Sequence, residues 1–191
     1  MTEFCKTPAK QYKDRFQLTN FVETGCYRGE GIAHATLIGF EKQKIYSCDI
    51  RKEAVDECLS LFPESNIIVG DSISFLTRLL PTLSGKTFFW LDAHFPAHYG
   101  VKSETEIEKM PMFEEVQLIK NSKKDYANDV IFCDDMHVIK DRNNPHYRSA
   151  YQFDEYFDVT ADWITYTKIL SDTHSFSSLQ IGECIGIFYP K

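Results

Sequence analysis

Five short apolar runs punctuate the first 135 residues, and each ends in or against a carboxylate. They are Asn20 to Thr24, Lys44 to Asp49 (KIYSCD), Asn66 to Gly70 (NIIVG), Thr87 to Leu91 (TFFWL) and Val130 to Cys133 (VIFC). Helical spacing fills the intervals. Gly29 to Ile38 is one such stretch, and Lys52 to Phe62 a second, with Val55, Cys58, Leu59 and Phe62 on one face and Pro63 as its stop. Ser72 to Leu80, capped by Asp71 or Ser72, and Met112 to Ile119 follow. Short, continuously apolar strands are what a parallel sheet requires when helices cover both of its faces.

The C-terminal part reads differently. Trp163 to Leu170 and Glu183 to Tyr189 (ECIGIFY) are predicted as two strands with only a loop, Ser171 to Gly182, between them. That predicts an antiparallel pair at the sheet edge. The expected fold is α/β, a Rossmann-like doubly wound sheet of seven strands, mostly parallel with an antiparallel C-terminal strand. No repeat or Pro/Gly-rich linker interrupts the order, so residues 1–191 are read as a single domain, long enough to bury a full core. Residues 1–19 form a basic-aromatic leader bearing Tyr12 and Phe16, a candidate lid over a ligand or equally the edge of a domain within a longer polypeptide.

The formal charge of −7 excludes nucleic acid as the expected partner, because a phosphate backbone needs a basic footprint. Basic residues are scattered, and Lys123-Lys124 reads as a solvated helix end. A neutral or cationic small molecule, or a sugar, suits this balance. No apolar run approaches the roughly 18 residues of a membrane span, and Met1 to Lys6 has no signal-like apolar core. A cytoplasmic setting is therefore expected. The six cysteines (5, 26, 48, 58, 133 and 184) contain no C-x-x-C pair. They read as reduced thiols, with Cys48 and Cys133 inside strands. The oligomeric state is not legible.

In open α/β sheets, ligands sit outside the carboxyl ends of the strands. Here those ends carry Glu23, Asp49, Asp71, Asp92 and the pair Asp134-Asp135. One acidic strand end is an ordinary helix cap. A set in register repels itself unless a ligand or cation compensates. The first turn runs Glu23-Thr24-Gly25-Cys26-Tyr27-Arg28-Gly29-Glu30-Gly31. Gly25 is expected at positive φ, and Gly29 is expected to let the backbone approach a ligand at the helix start. Tyr27 occupies the place of the second glycine of G-x-G-x-x-G, which argues against a dinucleotide.

This segment resembles motif I of class I S-adenosylmethionine-dependent methyltransferases, E/D-x-G-x-x-x-G, in its variant with a tyrosine in the loop. The resemblance runs from about residue 20 to 190. It implies a cofactor loop of Gly25, Tyr27 and Gly29, with Glu23 near the methionine end of S-adenosylmethionine. It further implies Asp49 on both ribose hydroxyls, and Asp71 and Ser72 beside the adenine.

The ends of strands four (WLDAHF) and five (CDDMH) are neighbours in such a sheet, so Asp92, Asp134 and Asp135 can converge. Three carboxylates without a thiolate suit Mg²⁺ or Mn²⁺. Such an ion can hold two vicinal oxygens of a substrate and lower a hydroxyl's pKa. The arrangement is similar to catechol O-methyltransferase and, more closely, to macrocin-type sugar O-methyltransferases. W-L-D-A-H and Pro111 to Glu115 (PMFEE) also resemble a bacterial and viral group with W-L-D-G-H and P-x-x-E-E, often linked to glycan genes; Ala93 replaces that glycine. His94, two residues past Asp92, is the candidate general base, against the plainer reading of a loop-ordering or outer-shell residue. His137 and His98 stand behind it, and Glu115 is a further candidate to reach metal or substrate. Phe95 to Glu108 and Asp141 to Tyr147 read as loops that choose the substrate.

The expected function is divalent-metal-dependent transfer of the methyl group of S-adenosylmethionine to a hydroxyl of a sugar, glycan or other vicinal diol. The alternatives are a metal-independent N- or phenol O-methyltransferase and a non-enzymatic cofactor-binding scaffold. A hydrolase or oxidoreductase would need a nucleophile elbow or a dinucleotide fingerprint, and the sequence has neither.

Overall fold

The computed structural model describes residues 3–93, 111–136, 140, 163–179 and 185–191. Seven strands form one sheet: β1 Asn20–Thr24, β2 Ile45–Asp49, β3 Asn66–Val69, β4 Thr87–Leu91, β5 Val130–Cys133, β6 His174–Leu179 and β7 Ile185–Pro190. Among the described residues six α-helices accompany them: α1 Glu3–Phe16, α2 Glu30–Leu37, α3 Lys52–Leu61, α4 Ser72–Leu79, α5 Met112–Ser122 and α6 Trp163–Lys168. The strand order is β3-β2-β1-β4-β5-β7-β6. β1 to β5 pair in parallel, and β7 lies antiparallel to both β5 and β6. The doubly wound, mostly parallel sheet with an antiparallel C-terminal strand is therefore as expected.

β1, β2, β4 and β5 form because apolar side chains on both faces bury themselves between helical layers, whereas β3 is an edge strand with one buried position. β1, β4 and β5 are buried at every position. Successive residues feed opposite layers, as the two-residue strand period requires. Val22, Phe89 and Ile131 join α4, α5 and α6 on one side, while Phe21, Phe88 and Phe132 join α1, α2 and α3 on the other. In the second layer Tyr12 of α1 packs its ring 5.5 Å from Phe132 and 5.6 Å from Tyr189. The aromatic residues of the leader thus serve this layer. Among the described residues, no helix is long and apolar enough to cross a membrane.

Two expectations are corrected. Trp163 to Leu170 is not a strand: Trp163–Lys168 is helical, and the sixth strand, His174–Leu179, lies inside the stretch expected to be a loop. Tyr166 and Leu170, four residues apart, are both buried, which is helical spacing. β6 is an edge strand of mostly half-buried residues, so His-Ser-Phe-Ser-Ser-Leu can be polar and still pair with β7. The second correction is Lys123, which is not solvated. Its side chain is fully buried, 3.0 Å from the equally buried Asp129, and it donates to the Gly85 carbonyl at 3.0 Å. Asp129 also accepts the Thr87 amide at 2.8 Å, so this ion pair fastens the starts of β4 and β5. Cys26, Cys48, Cys58 and Cys133 are buried free thiols.

Candidate cofactor site

The topology creates the site. From β1 the order runs outward through β2 and β3 on one side, and through β4 and β5 on the other. The loops leaving β1 and β4 therefore part company, and a crevice opens at the carboxyl ends. Backbone bonding continues past the strands there. The amides of Gly25 and Cys26 donate to the Cys48 carbonyl, Gly70 to Asp49, Asp92 to Thr24 and Asp134 to Leu91, all at 2.9–3.1 Å. Asp92 and Asp134 are thus held by their neighbour strands.

Gly25 has φ +84°, and a Cβ on it would stand 2.6 Å from the Asp92 carbonyl oxygen. Both the dihedral and the close approach exclude a side chain. Gly29 has φ +78°, and a Cβ there would meet Phe62 and Cys58, so this glycine also lets the loop pack against α3. Glu23 is buried against Gly31, where a Cβ would come within 1.6 Å of Glu23 Oε1. Ser47 donates its hydroxyl to Glu23 Oε2 at 2.8 Å. Burial, opposed by Ser47 and reinforced by the nearby charges of Asp92 and Asp49, pushes the Glu23 carboxyl up to about 8. It is therefore protonated at neutral pH.

Asp49, at the end of β2, is buried and accepts four bonds. Oδ2 receives the Tyr27 amide at 3.0 Å and Arg51 Nη2 at 3.1 Å. Oδ1 receives the Arg51 amide at 2.9 Å and Arg51 Nε at 3.1 Å. Tyr27 adopts φ +44°, which aims its amide at this carboxylate. The guanidinium groups of Arg28 and Arg51 each lie 5.1 Å from the centre of its ring.

Asp71 caps α4 by accepting the Ser74 amide at 2.8 Å, and Ser72 is buried beside it. Partial burial works against ionisation of Asp71, but the bonds from Ser74 outweigh it and hold the carboxyl below its usual value. Asp92 accepts the indole N–H of Trp90 at 3.2 Å, and its own amide also reaches the Thr24 hydroxyl. Asp134 accepts the amide of Asp135, which is buried at φ +53°. Asp92 and Asp134 each follow one member of the Leu91–Cys133 pair, so they occupy adjacent strand ends. Among the described residues, no group of three His, Cys, Asp or Glu side chains gathers closely enough to hold a metal. Glu115 is buried on α5 beside Val116. His94, His98, His137 and the loops 95–108 and 141–147 lie outside the described residues.

The site also contains groups that sequence reasoning did not single out. Arg51 and Ser47 neutralise or share the acidic cluster, and Gly31 makes room for Glu23. Gly31 had a signal, as a third glycine two residues after Gly29. Arg51, two residues after Asp49, had only its proximity.

No family model matches the sequence, and no curated protein matches it. Solved structures do match, over the whole chain. The O-methyltransferase TomG of Streptomyces achromogenes, involved in tomaymycin synthesis and solved with S-adenosylmethionine, superimposes with a TM-score of 0.68 at 10% identity, over 100% of this chain and 81% of its own. A putative caffeoyl-CoA O-methyltransferase of Staphylococcus aureus gives 0.66 at 12% identity, over 100% and 85%. A methyltransferase of Podospora anserina bound to S-adenosylhomocysteine gives 0.65 at 14%, over 100% and 80%. At these identities the likeness is one of fold: the chain has the fold of S-adenosylmethionine-dependent methyltransferases.

Proposed function

We propose that this chain is an S-adenosylmethionine-dependent O-methyltransferase, a single domain that works on a small hydroxylated acceptor in the cytoplasm. The observation that carries the reading is Asp49. It is a buried carboxylate at the switch-point crevice, fixed by the Tyr27 amide in a fold whose solved members include cofactor-bound methyltransferases. A buried carboxylate fits a vicinal ribose diol, because two O–H donors can satisfy it. The loop of Gly25, Tyr27 and Gly29 would hold the cofactor with Glu23 beneath it, and Asp71 and Ser72 would border its base. When bound, the cofactor supplies an electrophilic methyl group.

The finer reading is metal-assisted transfer to a sugar, glycan or other vicinal diol. Asp92, Asp134 and Asp135 are oxygen donors of the kind Mg²⁺ or Mn²⁺ prefers, and such an ion lowers the pKa of a bound hydroxyl. His94 would accept the proton. The metal-independent alternative draws on a specific observation: Asp49, Asp71, Asp92 and Asp134 each already accept a hydrogen bond, so repulsion among them does not by itself demand a cation.

The test is methyl transfer to a panel of simple glycosides and their mono-deoxy analogues, with and without EDTA. The metal reading expects EDTA to abolish turnover, Mg²⁺ or Mn²⁺ to restore it, and deoxy analogues to react poorly. Full activity in excess chelator would transfer support to the metal-independent alternative. His94→Ala is expected to lose roughly 10²- to 10⁴-fold in kcat with cofactor affinity unchanged. Wild-type kcat in that variant would leave His94 a loop residue.

A further inference from the structure

The Asp49 carboxylate is already fully engaged. Of its four donors, two are backbone amides, from Tyr27 and Arg51, and these hold the carboxylate in place whatever else binds. The other two, Nε and Nη2 of Arg51, form the paired contact that a planar guanidinium makes with a carboxylate. A ribose diol would present two hydroxyl donors to the same two oxygens. Each carboxylate oxygen has about two acceptor positions, and one on each is taken by an amide. Arg51 and the diol therefore compete for the remaining two.

We infer that Arg51 is a competitor built into the cofactor pocket: its guanidinium occupies the ribose-binding face of Asp49 and must swing away before the diol can bind. The inference rests on the cofactor reading proposed above. The Arg51 side chain keeps partial exposure, at 23% against 7% for Asp49, and its guanidinium lies 5.1 Å from the centroid of the Tyr27 ring. Two states follow, with Arg51 on Asp49 or released from it, and only the released one accepts the diol. A ligand that binds a minor state loses apparent affinity by the fraction of that state present. Arg51 thus sets how much cofactor the protein needs before the pocket fills. It also keeps the buried Asp49 charge compensated while the pocket waits, which an uncharged residue would not do.

The experiment is calorimetric titration of S-adenosylmethionine and S-adenosylhomocysteine into wild type, Arg51→Met and Arg51→Lys. Methionine keeps length and packing over Tyr27 without any donor. Lysine keeps the charge but cannot make the paired contact. With the released state a minor one, Arg51→Met is expected to bind about tenfold tighter than wild type, and Arg51→Lys to fall between them. Thermal unfolding without ligand, run alongside, identifies a variant that has lost its fold, and the other variant then decides. Binding by wild type with equal or weaker binding by the folded variants would overturn the competitor role and make Arg51 a spectator or a cofactor contact. If none of the folded chains binds either compound, the cofactor reading falls, and this inference with it.

Discussion

At the residue scale, the acidic strand ends fall into different protonation and bonding states, although the sequence presents them as equivalents. Glu23 is neutral at pH 7 because burial outweighs the hydroxyl of Ser47. Asp49 is paired with Arg51, and Asp71 is a cap. The repulsion expected of such a cluster is relieved one residue at a time, by a proton, a guanidinium and an amide. Asp49→Ala removes the acceptor for both ribose hydroxyls, so S-adenosylmethionine affinity should fall about tenfold or more, on the scale of 1.4 kcal/mol per decade. Unchanged affinity by calorimetry in a folded variant would take Asp49 out of that role. Gly31→Ala should be poorly tolerated, because its Cβ would stand 1.6 Å from Glu23 Oε1. We expect a loss of about 1–3 kcal/mol, typical of overpacking, measured by denaturant unfolding. Rescue by Gly31→Ala with Glu23→Ala would assign the clash to this pair.

At the element scale, the sequence was most legible where an element is buried on both sides. β1, β2, β4 and β5 read correctly to within a residue, since each is a short run buried at nearly every position, its few polar members included. It misled where an element is half exposed. The Ser-rich β6 looks like a loop because an edge strand needs only one covered face, and Trp163–Lys168 looks like a strand because its aromatic and β-branched residues carry strand propensity. Lys123 read as a surface residue because its partner, Asp129, is brought to it by the turn between α5 and β5, which no periodicity announces. Lys123 also pairs with Asp125 and donates to the Gly85 carbonyl, so Asp129→Ala removes one of its two carboxylates and strands the Thr87 amide, and we expect roughly 1–3 kcal/mol of destabilisation. A loss under about 1 kcal/mol by chemical denaturation would contradict the fastening role.

The same corner carries a pH dependence. His174 is buried, and its Nε2 lies 3.1 Å from the Asp129 carbonyl oxygen. Burial, partly offset by that bond, holds its pKa below the usual 6.5. On acidification through 6.5 the unfolded chain takes up a proton that the folded chain refuses. The contribution of His174 to stability should therefore be intact above that value and decline below it, down to the folded pKa. His174→Gln should flatten this part of the unfolding profile between pH 7 and 5. An unaltered slope would show that His174 protonates without cost.

At the scale of the whole molecule, the strand order and the site form one construction. The reversal between β1 and β4 opens the crevice, and the backbone bonds beyond each strand align Gly25, Asp49, Asp92 and Asp134 along its edge. The alternation of short apolar runs and helical stretches was enough to anticipate that arrangement, and the acidic residue closing each run marked where to look. What the sequence did not disclose is the occupancy of those carboxylates, because Arg51, Ser47 and Trp90 reach them only through side-chain geometry.

On the proposed reading, S-adenosylmethionine binds at this edge of the sheet and nowhere else. The most direct measurement is a titration of S-adenosylhomocysteine followed by the backbone amide resonances of the isotope-labelled protein. Saturable shifts are expected at Tyr27, Arg51, Gly70 and Ser72, with Thr87, Lys123 and Thr173 at the opposite end of the sheet unmoved. No saturable shift, or shifts confined to that opposite end, would contradict it.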